Sequence, residues 1–117
     1  MRRLAVLGLF VPLLLTACHP RAPAVSQSSQ HQQLASLIAG TRYLKNQCGR
    51  SDLPSDGQIE QAAYQAAWQR GWTPTATEAA QAELLYQRLL NDATPRATQC
   101  AEFTQLLAPF VSQLAKA

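Results

Sequence analysis

Three cysteines, two histidines and seven carboxylates are the side chains of this 117-residue sequence best suited to chemistry. Their positions argue against a catalytic site. His19 lies in a stretch carrying prolines and serines, and His31 lies at the expected mouth of the first helix. Neither is expected in the folded interior as the base that activates a serine or cysteine nucleophile; His31 reads as a polar first-turn residue. The acids are Asp52, Asp56, Glu60, Glu78, Glu83, Asp92 and Glu102. They fall on helix starts and polar faces, and Asp56, Glu60 and Glu78 sit where the helix dipole favours negative charge. Nothing in their spacing brings two of them into one cleft, as a paired-carboxylate hydrolase requires. There is no cysteine–histidine spacing of the zinc type, no calcium loop and no phosphate-cradling glycine loop. The expectation is no metal, no cofactor and no enzyme.

The cysteines carry the chemistry that remains. Arg2 and Arg3 precede an apolar run from Leu4 to Leu15, interrupted only by Gly8 and Pro12. The run is shorter than the roughly 20 apolar residues of a membrane-spanning helix and suits the apolar region of an export signal. Leu15-Thr16-Ala17-Cys18 closes it and looks like a bacterial lipobox, in which the thiol is acylated and the chain is cut just before it. Cys18 is therefore the expected lipidation site, residues 1–17 the signal peptide, and the membrane an expected partner through the lipid. Losing Arg2 and Arg3 lowers the formal charge from +3 to +1, eight basic residues against seven acids. No dense basic face remains, so no nucleic acid is expected as a partner.

With Cys18 consumed, Cys48 and Cys100 are an even pair in an exported chain, whose compartment permits disulfides. The expectation is a Cys48–Cys100 bridge; the alternative is two buried thiols. Closing a loop of about 50 residues is worth about 4 kcal/mol in the chain-entropy account, a large gain for a small core.

The elements that must position these residues read as helices. Residues 18–29 hold Pro20, Pro23, Ser26, Ser28 and Ser29, a composition too poor in apolar surface to fold and expected to be a flexible tether. Residues 30–117 form the expected domain. Its first helix runs from about Gln30 to Gln47, with Ser28 or Ser29 as cap, Leu34, Leu37, Ile38, Thr41 and Leu44 at helical spacing, and Gly49 past its end. Gly40 inside it permits a close helix crossing. The second, about Ser55 to Arg70, opens on the capping box Ser55–Gln58. Tyr64, Trp68 and Trp72 near its end read first as core or as a loop pinned to the core, and second as a binding surface. The third, about Ala76 to Asn91, opens on a second box, Thr75–Glu78. The fourth starts at Thr94-Pro95, with Pro109 expected to bend or break it between Gln105 and Pro109. Strand-like alternation is absent. The expected fold is all-α, a small antiparallel four-helix bundle with one disulfide and a last helix bent near Pro109.

One further pattern is carried by particular residues. Leu34 to Lys45 is followed by Cys48-Gly49-Arg50-Ser51-Asp52-Leu53-Pro54, then Arg70-Gly71-Trp72, then Leu84-Leu85-Tyr86-Gln87-Arg88-Leu89, then Thr94 to Cys100 and Phe103. Together these resemble the pilotins of the PulS/OutS family, small lipoproteins of type II secretion systems, over nearly all of the mature domain. The resemblance implies a four-helix fold with one disulfide. It implies a lipoprotein that binds the C-terminal tail of a type II secretion secretin, disordered when free and helical when bound in a groove, and escorts it to the outer membrane for channel assembly. The lipoprotein-sorting machinery is then a second partner. His19 follows the acylated cysteine instead of the aspartate that retains lipoproteins at the inner membrane, so the expected location is the outer membrane with the domain facing the periplasm. Groove candidates are Leu37, Ile38, Leu85, Leu89, Phe103 and Phe110. The alternative is a helical lipoprotein of another secretion or surface system, such as a type III secretin pilotin.

Overall fold

The computed structural model describes residues 26–116. Cys18, the signal peptide and the start of the tether lie outside the described residues. Five helices follow in order: α1 (Gln27–Gln47), α2 (Asp56–Gln69), α3 (Thr77–Leu90), α4 (Arg96–Leu106) and α5 (Ala108–Lys116). There is no strand among the described residues.

Helix α1 starts three residues before the expected Gln30. Ser26 is its cap, accepting a hydrogen bond from the Ser29 N–H at 3.2 Å. The added turn holds no large apolar side chain. Extending a helix already packed through Leu34 and Ala35 costs little, whereas nucleating one costs much, so a polar segment that reads as tether joins the helix. At its other end Gly49 takes a left-handed φ of 73°, which lets the Arg50 N–H return to the Leu44 carbonyl at 3.3 Å. Helix α2 keeps the capping box in full, Ser55 and Gln58 each bonding the other's backbone N–H. It ends in a second left-handed glycine, Gly71, with φ 81°. The Gly71 and Trp72 N–H groups bond the Trp68 and Ala67 carbonyls, both at 2.9 Å, which folds Trp72 back onto the core.

The box expected at α3 is only half formed. Glu78 reaches back to the Thr75 N–H at 2.5 Å, but Thr75 gives its oxygen to the Thr77 N–H. At α4, Thr94 does not cap. Its N–H bonds Asp92 at 2.8 Å, and Pro95 takes the cap position. The expected break is at Leu107, between α4 and α5. Pro109 is thus in the first turn of α5, where a missing N–H leaves no bond unmade.

Helix α1 is the central element. Its first half, Leu34, Ala35 and Ile38, packs with Ala63 and Ala67 of α2 and Ala82 of α3. Its last turn, through Leu44, packs with Leu53, Ile59, Val111 and Leu114. Ala39 and Tyr43 pack with Tyr86 of α3. Polar ties lock this arrangement. Arg42 lies 3.3 Å from Asp56 and 3.1 Å from Glu83, with its guanidinium 4.3 Å from the Tyr86 ring. Lys45 meets Asp56 at 3.2 Å. Cys48 and Cys100 are joined by a disulfide with a Cα–Cα distance of 5.7 Å, fastening the end of α1 to α4.

Two polar expectations change in the folded chain. Glu78, expected on a polar face, is 0 % exposed, and His31, expected as a solvated first-turn residue, bonds it through Nδ1. The reason is the turn after Gly71, which drops the first turn of α3 against the first half of α1. A buried carboxylate must be fully partnered, and Glu78 takes bonds from Thr75 N–H, Thr75 Oγ1 and His31. Removing one partner of such a group costs about 3 kcal/mol. His31→Ala should therefore lower unfolding stability by about that much in urea titration, and Glu78→Gln should recover part of it in the double variant.

Candidate functional site

Among the described residues the packing leaves a broad trough. Helix α1 forms its floor, α3 one wall, and α4 with the α4–α5 junction the other. The trough has a volume of about 810 Å³. Ala39 and Gly40 lie at its floor, and Leu37, Leu85, Leu89, Phe103, Leu106 and Leu107 supply the apolar surface. Gln32, Gln33, Ser36, Arg88 and Asp92 form a polar rim.

Gly40 explains how α4 and α5 meet so close to α1. A Cβ at this position would lie 3.0 Å from Leu107 Cδ1, so the missing side chain makes room for the junction. Gly40 lies within a buried run from Ile38 to Thr41. Thr41, itself 0 % exposed, turns its hydroxyl back to the Leu37 carbonyl at 2.7 Å, so its buried oxygen is satisfied within α1. Phe103 is fixed edge-on against Tyr43, ring centroids 5.6 Å apart. Leu106 is 72 % exposed. A leucine so exposed on the lip of an apolar trough is surface awaiting cover.

The six sequence candidates divide. Leu37, Leu85, Leu89 and Phe103 line the trough. Ile38 is 2 % exposed in the core with Ala63 and Ala67. Phe110 packs against the core clusters of α1 and α2 and does not line the trough. Leu37 and Ile38 differ by one residue, about 100° around the helix, and that rotation separates floor from core. Leu106 and Leu107 went unrecognised. Leu107 is the break between the two helices and Leu106 ends α4 on its exposed side, which no candidate choice by apolar type alone could separate from core.

The rim carries both signs of charge. Asp92 is held below the usual carboxylate range by a hydrogen bond from the Thr94 N–H, with the Thr94 side chain adding to it, and Arg88 stands one turn before it on α3. Among the described residues, no three His, Cys, Asp or Glu side chains are grouped as a metal site groups them.

Among the described residues, Tyr64 is the one strongly shifted group. Burial comes first among the causes, then the Glu60 charge and hydrogen bond and the Glu78 charge, and together they push its hydroxyl up to about 12. The folded chain thus holds this proton more tightly than the unfolded chain, whose value is about 10. The stabilisation is complete below pH 10 and is lost as pH rises through about 12. In an ultraviolet titration of tyrosinate, a phase with its midpoint near pH 12 should be present, about 12 being the value of Tyr64, and Tyr64→Phe should remove that phase.

Comparison with known proteins follows the same lines. Residues 15–112 match the family described as type II secretion system pilotin lipoprotein (PulS_OutS). The chain is 41 % identical over 121 residues to the pullulanase secretion protein PulS of Klebsiella pneumoniae, covering 97 % of each. It is 41 % identical over 114 residues to pilotin OutS of Dickeya dadantii, covering 87 % of this chain and 86 % of OutS. Among solved structures, it is similar to a chain of the Klebsiella pneumoniae type II secretion outer membrane complex of PulD, PulS and the PulC HR domain. There the TM-score is 0.73 at 50 % identity, covering 77 % of this chain and 99 % of that one. It is also similar to a chain of a pilotin/secretin peptide complex, with a TM-score of 0.75 at 43 % identity, covering 80 % of this chain and all of that one.

Proposed function

The chain belongs to the type II secretion system pilotin lipoproteins of the PulS/OutS family, and we propose that it binds the C-terminal tail of a secretin in the trough between α1, α3 and α4. It escorts that subunit to the outer membrane, where the channel assembles. The carrying observation is the trough itself, an apolar surface on three helices with a nearly bare leucine at its lip. This form suits an amphipathic helix laid into a groove. A tail helix of about 20 residues spans about 30 Å, and leucine-sized anchors contribute about 1.5–3 kcal/mol each when fully covered. The rim of glutamines, Ser36, Arg88 and Asp92 would meet the polar face of that helix. The groove residues in this reading are Leu37, Leu85, Leu89, Phe103, Leu106 and Leu107.

The same reading assigns the rest of the molecule. Acyl groups on Cys18 anchor the chain, His19 directs it to the outer membrane, and the domain faces the periplasm. The chain acts by binding and not by catalysis. We read α4 and α5 as one broken helix, which makes the domain a four-helix bundle with consecutive helices antiparallel. The ties from α1 to α3 support this, His31 to Glu78 and Gln47 to Tyr86, because they advance together along both helices.

The test is calorimetric titration of the unacylated chain, without its signal peptide and with Cys18→Ser. The titrant is a synthetic peptide of about the last 20 residues of the same organism's secretin, a helix of about 30 Å. Micromolar or tighter binding, about −8 kcal/mol or better, with helix gained by the peptide, is the expected result. A folded, disulfide-bonded chain that gives no heat would leave the trough without this partner.

A further inference from the structure

Trp68 has no part in the trough. It is 62 % exposed, on the last turn of α2. Trp72 follows one residue after the left-handed Gly71, half-buried against the core, with the Arg70 guanidinium 5.5 Å from its ring. These residues sit at a particular end of the domain. The end of α2 packs beside the first half of α1, Ala67 with Leu34, and His31 and Glu78 bring the start of α3 to the same place. This is the end where the chain arrives from Cys18. Ser26 is eight positions on from Cys18, a reach of at most about 26–29 Å.

The charges are distributed to match. Glu78 is buried and bonded to His31, which leaves Arg70 as the exposed charge between Trp68 and Trp72 in the chain. Asp52 and Asp56 lie at the opposite end, next to the last turn of α1, and Asp92 lies beyond the end of α3. Glu60 is eight residues before Trp68 on α2, about 12 Å along the axis, and its carboxylate is engaged with the Tyr64 hydroxyl.

We propose that Trp68, Arg70 and Trp72 form a membrane-contacting surface that seats in the headgroup layer of the anionic phospholipid leaflet holding the chain's own anchor. The proposal rests on the reading of Cys18 as the acylated residue. An indole with an apolar body and one N–H donor favours the membrane–water interface. Arg70 pairs with lipid phosphate, as a basic residue near an anionic surface does. The surface orients the domain, and Trp68 and Arg70, which do not line the trough, leave it open to the periplasm.

The mature acylated protein is reconstituted into vesicles of phosphatidylcholine and phosphatidylglycerol in a two-to-one ratio, some bearing brominated acyl chains. Only two tryptophans exist. Trp72→Phe isolates Trp68, and subtracting the spectrum of Trp68→Phe from the parent gives the same signal without disturbing Trp72. The expected result is a blue-shifted, bromine-quenched Trp68, with most of the quenching lost in Arg70→Gln or in pure phosphatidylcholine. Protein that floats with the vesicles but whose Trp68 emits as in water overturns the proposal and leaves the anchor standing. Protein that fails to float overturns both. Trp68 emission that shifts on adding the secretin-tail peptide without vesicles assigns the surface to the peptide and overturns the proposal as well.

Discussion

Leu106→Asp should abolish binding of the secretin tail while leaving the thermal melt unchanged. Leu106 is 72 % exposed, so the unbound domain keeps the new carboxylate in water at little cost. In the complex that carboxylate would lie against apolar surface without a partner. The lost leucine contact and the charge burial together come to about 3 kcal/mol or more, a weakening of at least about a hundredfold. Leu89→Asp, on the opposite wall, should do the same with a modest loss of stability, because Leu89 is half-buried against Tyr43 and Tyr86. Ile38→Asp provides the contrast. At 2 % exposure in the core, it should lower melt and binding together. Calorimetry and circular dichroism on the three variants separate trough from core. If Leu106→Asp binds like the parent, the tail lies elsewhere.

Removal of the Cys48–Cys100 bridge is the second large effect. The bridge spans 52 residues, and freeing that loop in the unfolded chain costs about 4 kcal/mol of stability. Small domains hold about 5–15 kcal/mol in total, so a Cys48→Ser/Cys100→Ser double variant should lose much of its margin. At 4–8 °C per kcal/mol for a domain of this size, the midpoint should fall by roughly 15–30 °C. The bridge joins the end of α1 to α4 close to Phe103, and α4 is one wall of the trough. Tail binding should therefore weaken near the new midpoint and return on cooling. Parent protein treated with reductant should follow the double variant in the same melt. A midpoint unmoved by both treatments would mean that packing of α4 on α1 alone closes the loop.

Much of the fold was legible because local rules and packing agreed. Ser55 and Gln58 form their box whatever lies around them. Gly49 and Gly71 end helices because a left-handed turn there strains any other residue. Leu34, Ile38 and Leu44 lie on one face by period alone. Other residues were decided at a distance. Ser26 and not Ser29 starts α1, because a packed helix extends through polar residues that would not nucleate one. Glu78 looks like a solvated first-turn acid until the turn after Gly71 sets it against His31. Thr94 has the chemistry of a cap, yet Asp92 takes its N–H and leaves the position to Pro95.

The candidate site follows the same division. Composition and period fix that Leu37, Leu85, Leu89 and Phe103 are apolar and on faces that pack, but a helix face does not state which neighbour it meets. The crossing of the α4–α5 junction over Gly40 makes Leu37 floor while Ile38, about 100° further round, stays core. Leu106, the last residue of α4, is left exposed beside the break at Leu107. The caps, the apolar stripes, the pair of cysteines and the family pattern are legible along the chain, since each is written in neighbouring residues or in a cysteine count. Only the tertiary structure decided where three helices fail to close over one another, because a gap belongs to the angles and distances between elements and to no residue in them.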